Sequence, residues 1–175
     1  MILGVVLAGG RSAGFGSDLA LAELGGHTLI ARAVDALSGW CEYVVVAGRA
    51  MAPAPTIPDW PGPDCGPLGG IAAALRLAQD EDYELVLSIG IDTPGLPDDL
   101  PERLSPAPAY LAAHPAVGLW PRSAAATLEA LLESGGRHPV TAFAEAIGAR
   151  AVAARGVIAI DSPAALVAAA RREGS

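Results

Sequence analysis

Apolar residues enter this chain in short unbroken runs rather than in alternation with polar ones. Ile2–Leu7, Tyr43–Ala47 and Glu84–Ile89 are runs of this kind, and they predict strands buried on both faces. Apolar positions recur at helical spacing over Thr28–Leu37, with Thr28 placed to cap the first turn, and over Leu68–Gln79, just after Gly66 and Pro67. Ala52–Pro67 is rich in proline and glycine and predicts a loop, holding a brief strand near Ile57. Pro97–Leu104 reads as a short helix and Ala109–Ala113 as a strand.

The second half is less regular. Val117–Trp120 predicts an edge strand, Ser123–Glu133 and Val140–Ile147 predict helices, and Arg150–Ala153 and Val157–Ile160 predict short strands. Ser162–Arg172 reads as an amphipathic terminal helix, with Ser162 as its cap and Pro163 at its first position. No repeat, low-complexity tail or linker divides the chain, so residues 1–175 are expected to form a single domain. Strands alternating with helices predict an α/β fold with a mostly parallel sheet and helices on both faces. Ligands of such sheets bind at the carboxyl ends of the strands. Three loops are expected to meet there: Ala8–Leu19, Asp59–Gly70 and Gly90–Pro97.

Composition narrows the function classes. The chain has 175 residues, enough for a sizeable core; 52% are hydrophobic and only 5% aromatic. Alanine makes up much of that apolar share, which suits helices packed closely on a sheet. A net charge of -8 argues against a nucleic-acid-binding surface, which needs a basic stripe. It leaves room for a small anion held by a local positive field. All 11 basic residues are arginine. Cys41 and Cys65 make neither a disulfide scaffold nor a metal cluster, which fits a reduced, cytoplasmic setting. The apolar start lacks a basic flank and is broken by glycine, so it reads as a strand rather than a signal peptide. No apolar run is long enough to span a membrane.

The candidate chemistry lies in the three converging loops. Val5–Leu21 reads as a buried strand entering a glycine-rich loop, where Gly9, Gly10, Gly14 and Gly16 leave room for an anion to approach the backbone. Arg11 is the cation of that loop. An ordinary strand-to-helix turn explains the same glycines equally well. Asp92, at the end of the third buried strand, is placed to bind Mg²⁺ or simply to cap its own turn through Thr93 and Pro94. Gly69 and Gly70 open a helix at a cost of about 1 kcal/mol each relative to alanine. Either a ligand or the sheet must come close there. His114 and His138 lack partners at metal-ligand spacing and read as loop residues, with His114 a candidate to face the crevice. Trp40, Trp60 and Trp120 read as partly buried core residues, Trp120 alternatively as the wall of a ring-binding surface.

Five segments in order resemble the molybdenum cofactor guanylyltransferases of the MobA type, within the nucleotidyltransferase superfamily. Leu7–Gly10 (LAGG) is similar to the start of the family's LAGGxSxRMGxDK loop. Asp59 stands ahead of Gly66–Ile71, which is similar to GPLxGI, and Ile91–Pro94 is similar to CDTP. His114–Leu119 is similar to HPxxxL, and Asp161–Pro163 to the NTP of NTPEEL. The resemblance implies a three-layer Rossmann-like nucleotidyltransferase fold. It implies that molybdopterin phosphate attacks the α-phosphate of GTP, releasing pyrophosphate and forming a guanine dinucleotide. By carry-over, Leu7, Ala8, Gly9 and Gly10 hold the nucleotide, Asp59 contacts its base or ribose side, and Asp92 binds Mg²⁺. Arg11 and Asp92 are then the catalytic candidates. GTP and the molybdopterin cofactor are the implied partners, with other cofactor-biosynthesis proteins or molybdoenzymes as further candidates. Gly9 matches the guanine enzymes rather than cytidylyl relatives, which resemble LAAG. The loop departs from the family where Gly14 replaces an arginine and Leu19 a lysine, and Ala47 stands where an asparagine is common. Those departures predict weakened activity. They leave as alternatives a non-catalytic relative that binds nucleotide or cofactor, or transfer involving CTP or a sugar phosphate.

Overall fold

The computed structural model describes residues 1–9, 18–63 and 65–174. Strands β1 (Ile2–Leu7), β4 (Tyr43–Ala47), β5 (Thr56–Ile57) and β6 (Leu85–Gly90) run parallel, in the spatial order β5-β4-β1-β6. β8 (His114–Pro121) then pairs antiparallel with β6. β7 (Ala109–Leu111) pairs antiparallel with β8, and β9 (Arg150–Val152) closes the seven-stranded sheet parallel to β7. Only β8 opposes the common strand direction, so the sheet is mostly parallel, as expected.

Side-chain alternation explains why the central runs are apolar throughout. Leu3 and Val5 of β1, with Val45 and Val86, face a cluster formed by α2 (Pro67–Asp80), α4 (Ala125–Glu133) and α5 (Val140–Ala146). Val6, with Val44, Val46, Leu87 and Ile89, faces α1 (Leu29–Ser38) and α3 (Leu100–Arg103). Both faces of each central strand are therefore covered, and polar alternation has no place there. The predicted caps form: Thr28 Oγ1 accepts from the Ala31 N–H at 3.2 Å, and Ser162 Oγ from the Ala165 N–H at 3.1 Å at the start of α6 (Pro163–Glu173).

Departures from expectation concentrate late in the chain. Val117–Trp120 lies inside the sheet, not at its edge; β9 and β5 hold the edges. Trp120 is fully buried, 5.0 Å from the Phe143 ring, and its Nε1–H donates to Ser88 Oγ at 2.9 Å. That burial removes the ring-binding alternative for Trp120. Residues 157–160 form no strand. Instead buried Ile160 packs with Leu19, Leu24 and Leu29, and its N–H donates to the Asp92 carbonyl at 2.7 Å. An unanticipated two-stranded hairpin, β2 (Glu23–Leu24) with β3 (His27–Thr28), precedes α1.

Candidate active site

The parallel register decides where the site lies. Leu7 pairs with Ala47 on one side and Gly90 on the other. Three strands therefore end at one level, and the loops leaving them meet. A cavity of about 530 Å³ opens there, bordered by Leu7–Gly9, Ala47, Asp59, Gly70 and Asp92. A wider groove of about 1110 Å³ adjoins it at Gly9, Arg49 and Asp59 and extends past Trp60 and Arg76. Of the residues singled out in the sequence, Leu7, Ala8, Gly9, Asp59 and Asp92 come together at this cavity. Gly10 and Arg11 lie outside the described residues.

The entry of α2 brings Asp59 inward. A side-chain carbon on Gly69 would come within 3.0 Å of Asp59 Cβ, and one on Gly70 within 2.7 Å of Leu7 Cδ2 and 2.9 Å of Ala47 Cβ. Close packing thus accounts for both glycines: they let the first turn of α2 lie against the strand ends and the Asp59 loop. The same loop is tied down by the Trp60 N–H, which donates to the Gly69 carbonyl at 3.1 Å. Burial holds the half-buried Asp59 carboxyl above its ordinary value of 3.8. No described group donates a hydrogen bond to that carboxyl.

Asp92 follows β6 at the rim of the cavity. Loss of surrounding water pushes its carboxyl above the ordinary value; its own backbone N–H and His114 pull the other way, and Asp161 adds to the rise. Thr93 Oγ1 donates to the Gly90 carbonyl at 3.3 Å and fixes the turn. His114 is anchored by a 3.2 Å contact between Nε2 and the Val157 carbonyl, which places it near Asp92. His138 stays with its own loop, 2.9 Å from the Gly135 carbonyl.

Among the described residues no group of three or more metal-ligating side chains assembles. A divalent cation that keeps several waters and binds through one or two carboxylates together with substrate phosphates needs no such cluster.

Two arginines border the cavity that the sequence did not single out. Arg49 reaches it from the loop after β4, and Arg137 from the loop between α4 and α5, where it lies against Gly66 at the start of α2. Their signal was present in the sequence only as unassigned basic residues in loops. Leu19, by contrast, packs in an apolar cluster with Ile160 and Leu24. No helix among the described residues is long and apolar enough to cross a membrane.

Comparison with known proteins agrees with this geometry. Residues 4–154 match the family described as the MobA-like NTP transferase domain. A molybdenum cofactor guanylyltransferase of Acidiphilium cryptum is 39% identical over 160 residues, covering 85% of this chain and 82% of that protein. Another, from Rhizobium johnstonii, is 39% identical over 155 residues, covering 81% and 74%. The crystal structure of molybdopterin-guanine dinucleotide biosynthesis protein A from Archaeoglobus fulgidus superposes with a TM-score of 0.79. It is 20% identical and covers 99% of both chains. The chain belongs to the MobA-like NTP transferase family.

Proposed function

We propose that this family member transfers the guanylyl group of GTP to the phosphate of molybdopterin. In that reaction an acceptor phosphate oxygen forms a bond to the α-phosphorus. The bond from the α-phosphorus to the oxygen bridging the β-phosphate breaks, and pyrophosphate leaves with that electron pair. The observation that carries the reading is the meeting of Asp59 and Asp92 with the backbone of Leu7–Gly9 around one cavity at the strand ends. The relatives' named activity supplies the substrate class.

Each residue has a chemical task in this reading. The backbone of Leu7, Ala8 and Gly9 lies against the nucleotide; by resemblance Gly10 shares that task and Arg11 is the loop's catalytic cation. Asp59 accepts hydrogen bonds from the base or ribose side; its unmet acceptor capacity in a half-buried position suits that role. Asp92 holds Mg²⁺, which neutralises charge on the phosphates when bound.

The test is to supply purified protein with GTP, Mg²⁺ and molybdopterin. A guanine dinucleotide and pyrophosphate are expected in equal amounts. Formation of neither, in protein that still binds GTP, would leave the second reading, a non-catalytic binder. Leu19 favours that second reading, because it presents an apolar side chain where the related loop carries a lysine. Competition among GTP, CTP and ATP separates both from a transferase using another nucleotide.

A further inference from the structure

We propose that Arg49, oriented by Asp18, is a phosphate-binding cation of this nucleotide site. The inference rests on the nucleotide assignment above and adds a residue to it.

Backbone geometry puts Arg49 at the right place. β1 and β4 end side by side, and Ala8 N–H donates to the Ala47 carbonyl at 3.0 Å. The next residue, Gly48, has φ +90° and presses against the Gly9 backbone so closely that no side chain fits between them. Arg49 therefore emerges beside Gly9, at the start of the glycine-rich segment. Its guanidinium then meets the far end of that segment: Nη1–H donates to Asp18 Oδ1 at 2.9 Å. Asp18 is itself fixed, since it caps the following turn by accepting from the Ala20 N–H at 3.2 Å. Arg49 thus stands between the two residues that flank positions 10–17.

Charge and donor count make this arginine more than a staple. A guanidinium carries five N–H donors in a planar fork. The Asp18 bond uses one, and a 3.5 Å contact from Nε to the Met51 carbonyl occupies another. The remaining donors can serve an anion while the carboxylate stays bound, which a lysine ammonium does poorly. The Arg49 side chain is only 22% exposed, so its charge acts through partly desolvated surroundings. Arg76, Arg103 and Arg122 are engaged with Glu129, Asp99 and Asp82, and Arg32 with Glu173, none of them bordering this cavity. Arg137 borders it without an ion pair to a described residue and is exposed. Arg49 alone of these is both at the cavity and held in place, and pre-ordering reduces the cost of binding.

Calorimetry with Mg²⁺-GTP and with guanosine tests the proposal, because guanosine keeps the base and ribose and lacks the phosphates. Arg49→Met should weaken GTP binding by about tenfold or more while guanosine binding stays within about twofold. Arg49→Lys should recover part of the GTP affinity. Asp18→Asn keeps the Arg49 charge and weakens its anchor from an ion pair to a neutral hydrogen bond, so its loss should be smaller than that of Arg49→Met. Equal losses for GTP and guanosine would show that Arg49 only fastens the loop, and no loss would remove it from the site; either result overturns the proposal. Wild-type protein that binds neither ligand would overturn the nucleotide assignment and this inference together. Should Arg49→Met fail to fold, Arg49→Lys decides: a loss confined to GTP supports the role, and a loss shared with guanosine refutes it.

Discussion

The two halves of the sheet are built by different rules, and the site draws mainly on one of them. In the parallel half, β5-β4-β1-β6, each strand returns through a crossover, so its ends align by register and its loops converge. In the other half, β8 runs back between β6 and β7, and the core is closed by one large residue, Trp120, between the sheet and Phe143. The parallel half positions Asp59, Asp92 and Arg49; the antiparallel half brings Ala116 of β8 and, from the loop between α4 and α5, Arg137 to the same cavity.

Breaking the antiparallel half should cost the most stability. Trp120→Ala removes a fully buried ring and orphans Ser88 Oγ from its indole donor, so a loss of about 3–5 kcal/mol is expected in denaturant unfolding. If the division holds, the folded fraction of that variant should still bind GTP. Asp92→Asn should show the reverse pattern, with Mg²⁺-dependent turnover falling about a hundredfold or more and the fold retained. Measured initial rates and a thermal melt on the same sample check both statements.

A smaller effect should come from Gly70→Ala. The added carbon collides with Leu7 and Ala47, so overpacking of about 1–3 kcal/mol is expected, together with weaker nucleotide binding because α2 must move off the strand ends. Smaller still are the two caps, one for each end of the chain. Thr28→Ala and Ser162→Ala should each cost about 1 kcal/mol, and only the first helix packs on the parallel strands.

Acid titration sharpens the contrast inside the pocket. Asp18 is held below 3.8 chiefly by the hydrogen bond from Arg49, so its stabilising contribution is present above that value and is lost as pH falls through its folded value. Asp92 is raised, so its ionisation counts against the fold once pH climbs from 3.8 through its folded value. Asp18→Asn should therefore destabilise at pH 7 and converge with wild type in acid. Asp92→Asn should stabilise at pH 7 and likewise converge in acid. Melting curves across that range decide the signs.

Much of the parallel half was legible because its signals are local. Ile2–Leu7 and Tyr43–Ala47 are apolar on both faces, and the hydroxyls of Thr28 and Ser162 mark helix starts whatever surrounds them. Val117–Trp120 was legible as a strand but not as an interior one, since pairing with β6 and β7 is a long-range event that no local pattern encodes. Residues 157–160 show the opposite error: β-branched residues gave a strand signal, yet Ile160 is used to bury the Asp92 turn and the β2–β3 hairpin.

For the site, Leu7–Gly9 and Asp92 could be picked out because glycines and a carboxylate at strand ends carry a signal of their own, and Asp59 because the segment around it resembles the family's motif. Arg49 and Arg137 could not, because an arginine in a loop looks the same whether it faces solvent or a cavity. The sequence by itself determined most of the order of elements and which loops leave the carboxyl ends of the strands, both consequences of periodicity and chain direction. Tertiary structure decided which strand is central, why Gly69 and Gly70 are small, and which arginines border the cavity. These depend on contacts between residues far apart in the chain, such as Arg49 with Asp18 and Gly48 with Gly9.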